Sequence, residues 1–592
     1  MIKKSFLLSF LIFFPFFLSS CFSKEIPFFV EENFSEKSDK SEKIEESSVS
    51  NQKESFSFKT TGDFDFYIFE KDISQKITDF SQKNQGASLV LTLKPLKCKK
   101  NYEDEKDLFS FLTEEDFSNG KLIKTQHDKA AVSFNFNDFL QETDQFSISL
   151  GFPKNSSIPK GFFIKTKDKY KILSVKITKL SCGFDFSKNE FYSFCANGGI
   201  LNKSSKKVDL SGIPFSFASQ NTKTSLLPVI EISLKDSKIP VQLLISSEKI
   251  TVRSSNENST DSKKVKIPLA SLKNPFSSIE ITENQENVES ILVEQNDEDL
   301  LLDSSTEKKS PLVPYKIDPG LIMSWPKSSW RGIDYELFEW DRFSNILFFD
   351  TANYAVQDDF FRRLAYFVEK KGFKGRLLSD EELAGKHVYN AHDYRSTDLA
   401  RFFQKADEEN FPLNKKELLL KEILLKNGVI VENQGKIEGG SGAVISISQE
   451  SSMYLRRTFV AHEGWHGIYF VDEDFRNTVS AVFYSLLAQD KTSLDFLIRY
   501  FEVTPSLNYD TSDEYLLKNE FMAYMLQRSV PQVEQYYVDM ASRNHAQSKI
   551  KTEADYIIQT KAQSFVGAST MLEDYVLERW NLQAGRVWLL SR

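Results

Sequence analysis

The chain is poor in the residues that staple small folds or loosen long ones. Its 592 residues include only four Cys, far too few for a disulfide scaffold. Gly numbers 23 and Pro 17, together below ordinary usage, which excludes collagen-like and wholly disordered chains. Basic residues are outnumbered, with 75 Lys and Arg against 84 Asp and Glu for a net charge of −9. That sign is opposite to what phosphate neutralisation requires, so no nucleic acid partner is expected. No internal repeat is evident, and with only 6 His in the chain any pattern among them carries information. Apolar residues are plentiful at 40%, with 52 Phe, so most of the chain can bury a core. At about 150 residues per domain the length implies roughly four domains.

The amino terminus reads as a secretory signal over residues 1–20: Lys3 and Lys4, an apolar run from Phe6 to Leu18 broken by Pro15, then Leu18-Ser19-Ser20-Cys21. The run is shorter than the roughly 20 residues that span hydrocarbon. Its last four residues resemble the bacterial lipoprotein cleavage box. The resemblance implies that Cys21 is acylated, that a lipid membrane is a partner, and that the mature chain faces an extracytoplasmic space of the cell envelope. Several acyl chains, at about 0.8 kcal/mol per buried methylene, would hold it there stably. Three Cys remain. Cys182 and Cys195, around a turn-like Gly183, are a candidate pair, and three free thiols with Cys98 are the alternative.

Residues 21–55 are almost entirely Ser, Glu, Lys, Asp, Gln and Asn from Ser35 on and read as a flexible tether. Residues 56–278 carry short β-type runs, among them Leu89 to Leu93, Phe146 to Leu150, Ile172 to Ile177, Val229 to Leu234, Val241 to Ile245 and Lys249 to Val252. A β-rich, sandwich-like domain is expected there, with no catalytic constellation and a lone His127. Residues 279–310 are acidic, from Glu280 to Glu307, and read as a linker. From 311 to 592 helical periodicity takes over, as in Asp358 to Lys370, with Phe361, Leu364, Ala365 and Val368 on one face. The fold class expected is therefore α+β and multidomain, β-rich first and mainly helical after.

His462-Glu463-Gly464-Trp465-His466 matches H-E-x-x-H. On a helix, residues four apart sit one turn above each other, so both imidazoles can reach one metal ion while the Glu reaches a water beside it. By composition the pattern is expected roughly 0.004 times in such a chain, so chance is a poor explanation. A third ligand is still required. Asp472 is one candidate. Glu520, in Asn519-Glu520-Phe521-Met522-Ala523-Tyr524, is the better one, because Ala523 on the same face would let that segment approach the motif helix.

With these residues the chain resembles zinc metallopeptidases of the gluzincin type, over roughly Gly439 to Ala546. The resemblance implies a zincin-like domain at 311–592, one Zn2+ per chain held by His462, His466 and Glu520, and Glu463 as the general base. A departure stands at Tyr524, where the thermolysin-like branch has an Asp that orients a zinc His. Orientation must then come from elsewhere. The resemblance also implies that the strand before the motif helix is a sheet edge on which substrate lies, at Val444, Ser446 and Ser448. Donors for a developing oxyanion are Tyr524, Tyr509 and His545. The cluster from Tyr389 to Tyr394 reads as a cleft lining or as a capped helix start at Asn390 or Asp393. The function expected is a membrane-anchored zinc metallopeptidase acting on proteins or peptides. A non-catalytic scaffold lipoprotein with a structural or vestigial zinc site, and a metal-dependent amidase of cell wall, are the alternatives.

Overall fold

The computed structural model describes residues 310–592, apart from 387, 505, 506 and 508, and upstream of them residues 26–29 and the strands, helices and some connections between 56 and 295. The molecule is mixed α+β, with several sheets and a helical carboxy-terminal region. The signal segment, Cys21, the tether apart from Ile26–Phe29, Cys98, His127 and Cys195 lie outside the described residues. Ile26–Phe29, expected to be flexible tether, is a strand paired antiparallel with residues 174–177.

The six β-type runs are strands, each within Gly86–Pro95, Phe146–Pro153, Tyr170–Thr178, Pro228–Leu234, Val241–Ile245 or Glu248–Val252. Three sheets of nine, five and six strands, with a two-stranded one of Phe117–Ser118 and Lys121–Leu122, collect the region. Three features differ from expectation. Lys71–Lys83 is a helix, burying Ile73 and Ile77 one turn apart against the sheet. Gly183 sits inside the strand Ser181–Asp185, opposite Tyr192, and not in a turn. The acidic stretch is also not a linker as far as Gln295, because it contains the strands Ser278–Glu283 and Val288–Gln295. Its Ile279, Ile281, Val288, Ile291 and Val293 are buried, so the acidic residues are the outward half of an alternating pattern.

In the carboxy-terminal region a single sheet positions everything else. Its strands are β1 (Tyr315–Ile317), β2 (Tyr335–Trp340), β3 (Ile346–Thr351), β4 (His392–Arg395) and β5 (Ala443–Ser448), in the spatial order β1-β2-β3-β5-β4. Strands β3 and β5 are parallel, and β4 runs antiparallel to β5. Both β3 and β5 are buried along their whole length, as continuous apolar runs covered on two faces should be. Leu347, Phe349 and Val444 pack under helices α1 (Tyr354–Val368), α2 (Ser396–Glu408) and α3 (Lys415–Lys426). Ile346, Phe348, Ile445 and Ile447 face the other way, onto α4 (Met453–Val471). Beyond α4 lie α5 (Glu473–Gln489), α6 (Lys491–Val503), α7 (Glu514–Leu526), α8 (Val530–Ala541) and α9 (Gln563–Trp580).

The chain's end crosses the boundary expected at 311. Leu590–Ser591 adds a strand to the six-stranded sheet by pairing with Thr251 and Val252. Buried Asp318 accepts the backbone N–H groups of Leu589 and Leu590 at 2.7 and 3.2 Å. Gly320 is required beneath this tail, since a Cβ there would stand 1.9 Å from the Leu590 carbonyl oxygen.

Candidate metal centre

Helix α4 starts at Ser452, whose hydroxyl accepts the Leu455 N–H. A buried ion pair ties its first turns to the sheet: Arg456 donates to both oxygens of Asp350 on β3, at 2.7 and 3.0 Å. Gln449 donates to the same carboxylate at 2.6 Å. Two turns on, His462 and His466 face the same side with ring centroids 4.8 Å apart. Gly464 between them has no room for a side chain, because a Cβ would meet Val587 of the tail at 2.7 Å. Trp465, fully buried, donates to the Leu526 carbonyl at 3.0 Å and fixes how α7 crosses α4. Ala523, also buried, is the small residue expected at that crossing.

The crossing brings Glu520 between the two imidazoles. Its Oε2 is 3.7 Å from His462 Nε2 and its Oε1 is 3.8 Å from His466 Nε2. The three residues offer ligand atoms all within 4.8 Å of one another. These separations are too long for hydrogen bonds. They are close to the spacing of about 3.4 Å between atoms that share one tetrahedral ion at about 2.1 Å. His466 is 1% and Glu520 3% exposed, yet both His466 nitrogens and Glu520 Oε2 have no hydrogen-bond partner. Buried polar atoms left this way are costly in water's absence, and a cation among His462, His466 and Glu520 would satisfy His466 Nε2 and Glu520 Oε2. Two nitrogens and a carboxylate are a donor set that suits zinc.

The electrostatics point the same way. Burial, with His466 adding to it, pushes His462 well below the usual imidazole range, and burial, opposed in part by Asn519, pushes His466 down to about 4. Both therefore stand neutral, as ligands must. Burial raises Glu520 well above the carboxylate range, helped by Asp393 and Glu369. Several buried carboxylates raise one another's affinity for protons here, Asp393 and Glu369 acting on Glu520.

Glu463, mostly buried, lies beside the triad and is held well above its ordinary range by burial, then by Asp393 and Glu520. Asp393, Glu463 and His466 form a second group of atoms within 4.8 Å. Asp393 Oδ2 stands 3.8 Å from His466 Nδ1. The cluster from Tyr389 to Tyr394 is thus no capped helix start: it runs into β4, and α2 begins after it with Arg395 at its N-cap. On the other imidazole, His462 Nδ1 meets Gln527 Oε1 at 3.2 Å, and Gln527 Nε2 donates to the Tyr536 hydroxyl at 3.0 Å. Sequence reasoning misses Asp393 and Gln527 as partners of the histidines. A period-2 pattern puts Asp393 and Arg395 on one face of β4, and Gln527 follows Glu520 by two helical turns, so both signals are present in the chain.

Among the oxyanion candidates, Tyr524 packs edge-on against His462 with centroids 5.3 Å apart, and Tyr509 hydrogen-bonds Glu520. His545 is turned to Thr504, 3.2 Å from its hydroxyl, and to the Tyr500 ring. Asp472 is spent as a helix N-cap, accepting the Phe475 N–H at 2.7 Å and pairing with Arg579. The shelf expected at Val444, Ser446 and Ser448 is contradicted: β5 is paired on both sides and wholly buried. Ser446 hydrogen-bonds His392 Nδ1 at 2.9 Å and Gln357 at 3.0 Å, and the Ser448 hydroxyl accepts the Glu450 N–H. Among the described residues the sheet's free edge beside α4 belongs to β4, which pairs with β5 alone.

Comparisons with known protein families, with curated proteins and with solved structures find no match for this chain.

Proposed function

We propose that the chain is a zinc-dependent peptidase of the gluzincin type, carried on a lipid-anchored protein of the cell envelope. The observation that carries the reading is the convergence of His462, His466 and Glu520, with buried, unpartnered nitrogen and oxygen atoms, beside the Glu463 carboxyl. A sheet with the motif helix packed on one face supports a zincin-like arrangement. The sequence around Cys21 supports the anchor.

His462, His466 and Glu520 would hold the ion, which supplies Lewis-acid charge to an amide carbonyl and to water. Glu463 takes the proton of the attacking water and delivers it to the departing amine, for which its raised affinity for protons suits it. Tyr524, next to His462, donates to the oxygen that gains charge. An extended peptide lies along β4, the edge strand of the sheet, adding to it by main-chain hydrogen bonds, and Asp393 on that strand keeps the His466 ring in place.

The test uses protein from residue 22 onward. About one zinc per chain by elemental mass spectrometry, with cleavage of a casein-type substrate that 1,10-phenanthroline abolishes, is the expected result. Correctly folded protein that binds no metal would overturn the reading in favour of a scaffold lipoprotein. Metal bound, no proteolysis and cleavage of peptidoglycan amides would favour the amidase.

A further inference from the structure

The asymmetry between the two histidines leads beyond the ligand set, on the premise that both bind a metal as proposed. His466 has a carboxylate, Asp393, off its far nitrogen. His462 has a neutral amide. An imidazole that binds a metal through Nε2 must carry its proton on Nδ1, and the group accepting that proton fixes both tautomer and ring orientation. Gln527 can accept only through Oε1, and its amide is held the right way round because Nε2 is already donating to Tyr536 at 3.0 Å. A flipped amide would set two donors, N–H and Nδ1–H, against each other. Gln527 is itself fixed at the carboxy end of α7, its own N–H bonded to the Ala523 carbonyl at 2.8 Å, and is only 7% exposed. The same helix therefore supplies one ligand, Glu520, and the group that aims another.

We infer that Gln527 is a positioning residue for His462, taking over from two turns down the helix the orienting role that Tyr524 cannot fill, and that Tyr536 sets the sense of its amide. Because the amide is neutral, it orients the ring without adding negative charge to a place that already holds Glu520, Glu463 and Asp393.

The closing experiment reads metal affinity and tautomer, not turnover. Purified Gln527→Ala, Gln527→Glu and Tyr536→Phe proteins are stripped with a chelator and titrated with Co2+ against a chromophoric competitor, with the visible spectrum recorded. Gln527→Ala should weaken binding by about ten- to a hundred-fold and alter the cobalt spectrum. Gln527→Glu, which keeps the acceptor, should restore both, and Tyr536→Phe should fall between. In the metal-free parent, two-dimensional 1H–15N spectra of the His rings should show His462 protonated on Nδ1, and Gln527→Ala should release that preference. Undiminished affinity and an unchanged spectrum in Gln527→Ala, with a parent that binds cobalt, would overturn the inference alone. A parent that binds no cobalt would overturn the metal-centre reading, and a metal-free His462 protonated on Nε2 would independently overturn the role of Gln527.

Discussion

Two buried polar clusters lie two turns apart on α4 and solve opposite problems. Around Arg456 every charge is answered: the guanidinium meets both oxygens of Asp350, and Gln449 meets that carboxylate again. Around His466 the polar atoms are only partly answered, with both ring nitrogens and Glu520 Oε2 lacking a hydrogen-bond partner. The same helix and the same sheet frame both, so the difference does not come from burial. A polar group buried for architecture brings its partners along, whereas buried atoms left without partners leave a place where a ligand can sit.

Four substitutions break or sharpen that contrast. On the open side, Glu463→Gln should cost about a thousand-fold in turnover, roughly 4 kcal/mol of barrier, while keeping bound zinc and thermal stability; steady-state proteolysis with a metal assay checks both. Equal turnover in parent and variant would remove Glu463 from the chemistry. On the closed side, Arg456→Ala strands the Asp350 carboxylate and should cost about 3–5 kcal/mol of stability in urea unfolding. Turnover per folded molecule should hold. A destabilisation below about 1 kcal/mol would mean the pair is not the anchor of α4.

The third test uses pH. Burial holds Asp393 up to about 7, against about 3.9 in an unfolded chain. Between those values the folded state binds more protons, so the carboxyl's contribution to stability falls as pH rises from about 4 to about 7 and is flat beyond. In metal-free protein Asp393→Asn should gain on the parent over that window, by on the order of 4 kcal/mol. A stability difference that does not change with pH would remove the account. Smallest is Asp472→Ala, which loses an N-cap worth about 1 kcal/mol and should leave zinc stoichiometry alone. Loss of zinc would return Asp472 to the ligand set.

How far the sequence can be read depends on whether information is local. The His462 and His466 spacing, Glu520 with its small neighbour Ala523, and the strand Ala443–Ser448 are all legible from short-range pattern. The helix Lys71–Lys83 is legible too, since Ile73, Ile77 and Phe80 follow a helical stripe, but it is masked by the β-type region around it. The acidic segment misleads because charge density hides its period of two. What strand order decides is beyond local reading: β5 is interior and β4 is the edge only because a segment some fifty residues earlier returns to pair with Ser446. Asp393 and Gln527 gain their meaning from elements that meet in space, so their partners cannot be read from neighbours in the chain.

The tail has a temporal consequence. Synthesis runs from the amino end, and the strand that closes the sheet against Thr251, with the Val587 side chain that caps Gly464, is made well after the motif helix. Contacts of such long sequence separation form late. The motif helix therefore completes its packing only once Val587 and Leu590 have been translated, and a molecule nascent at, or clipped before, Val587 carries its histidines without the wall that seats them.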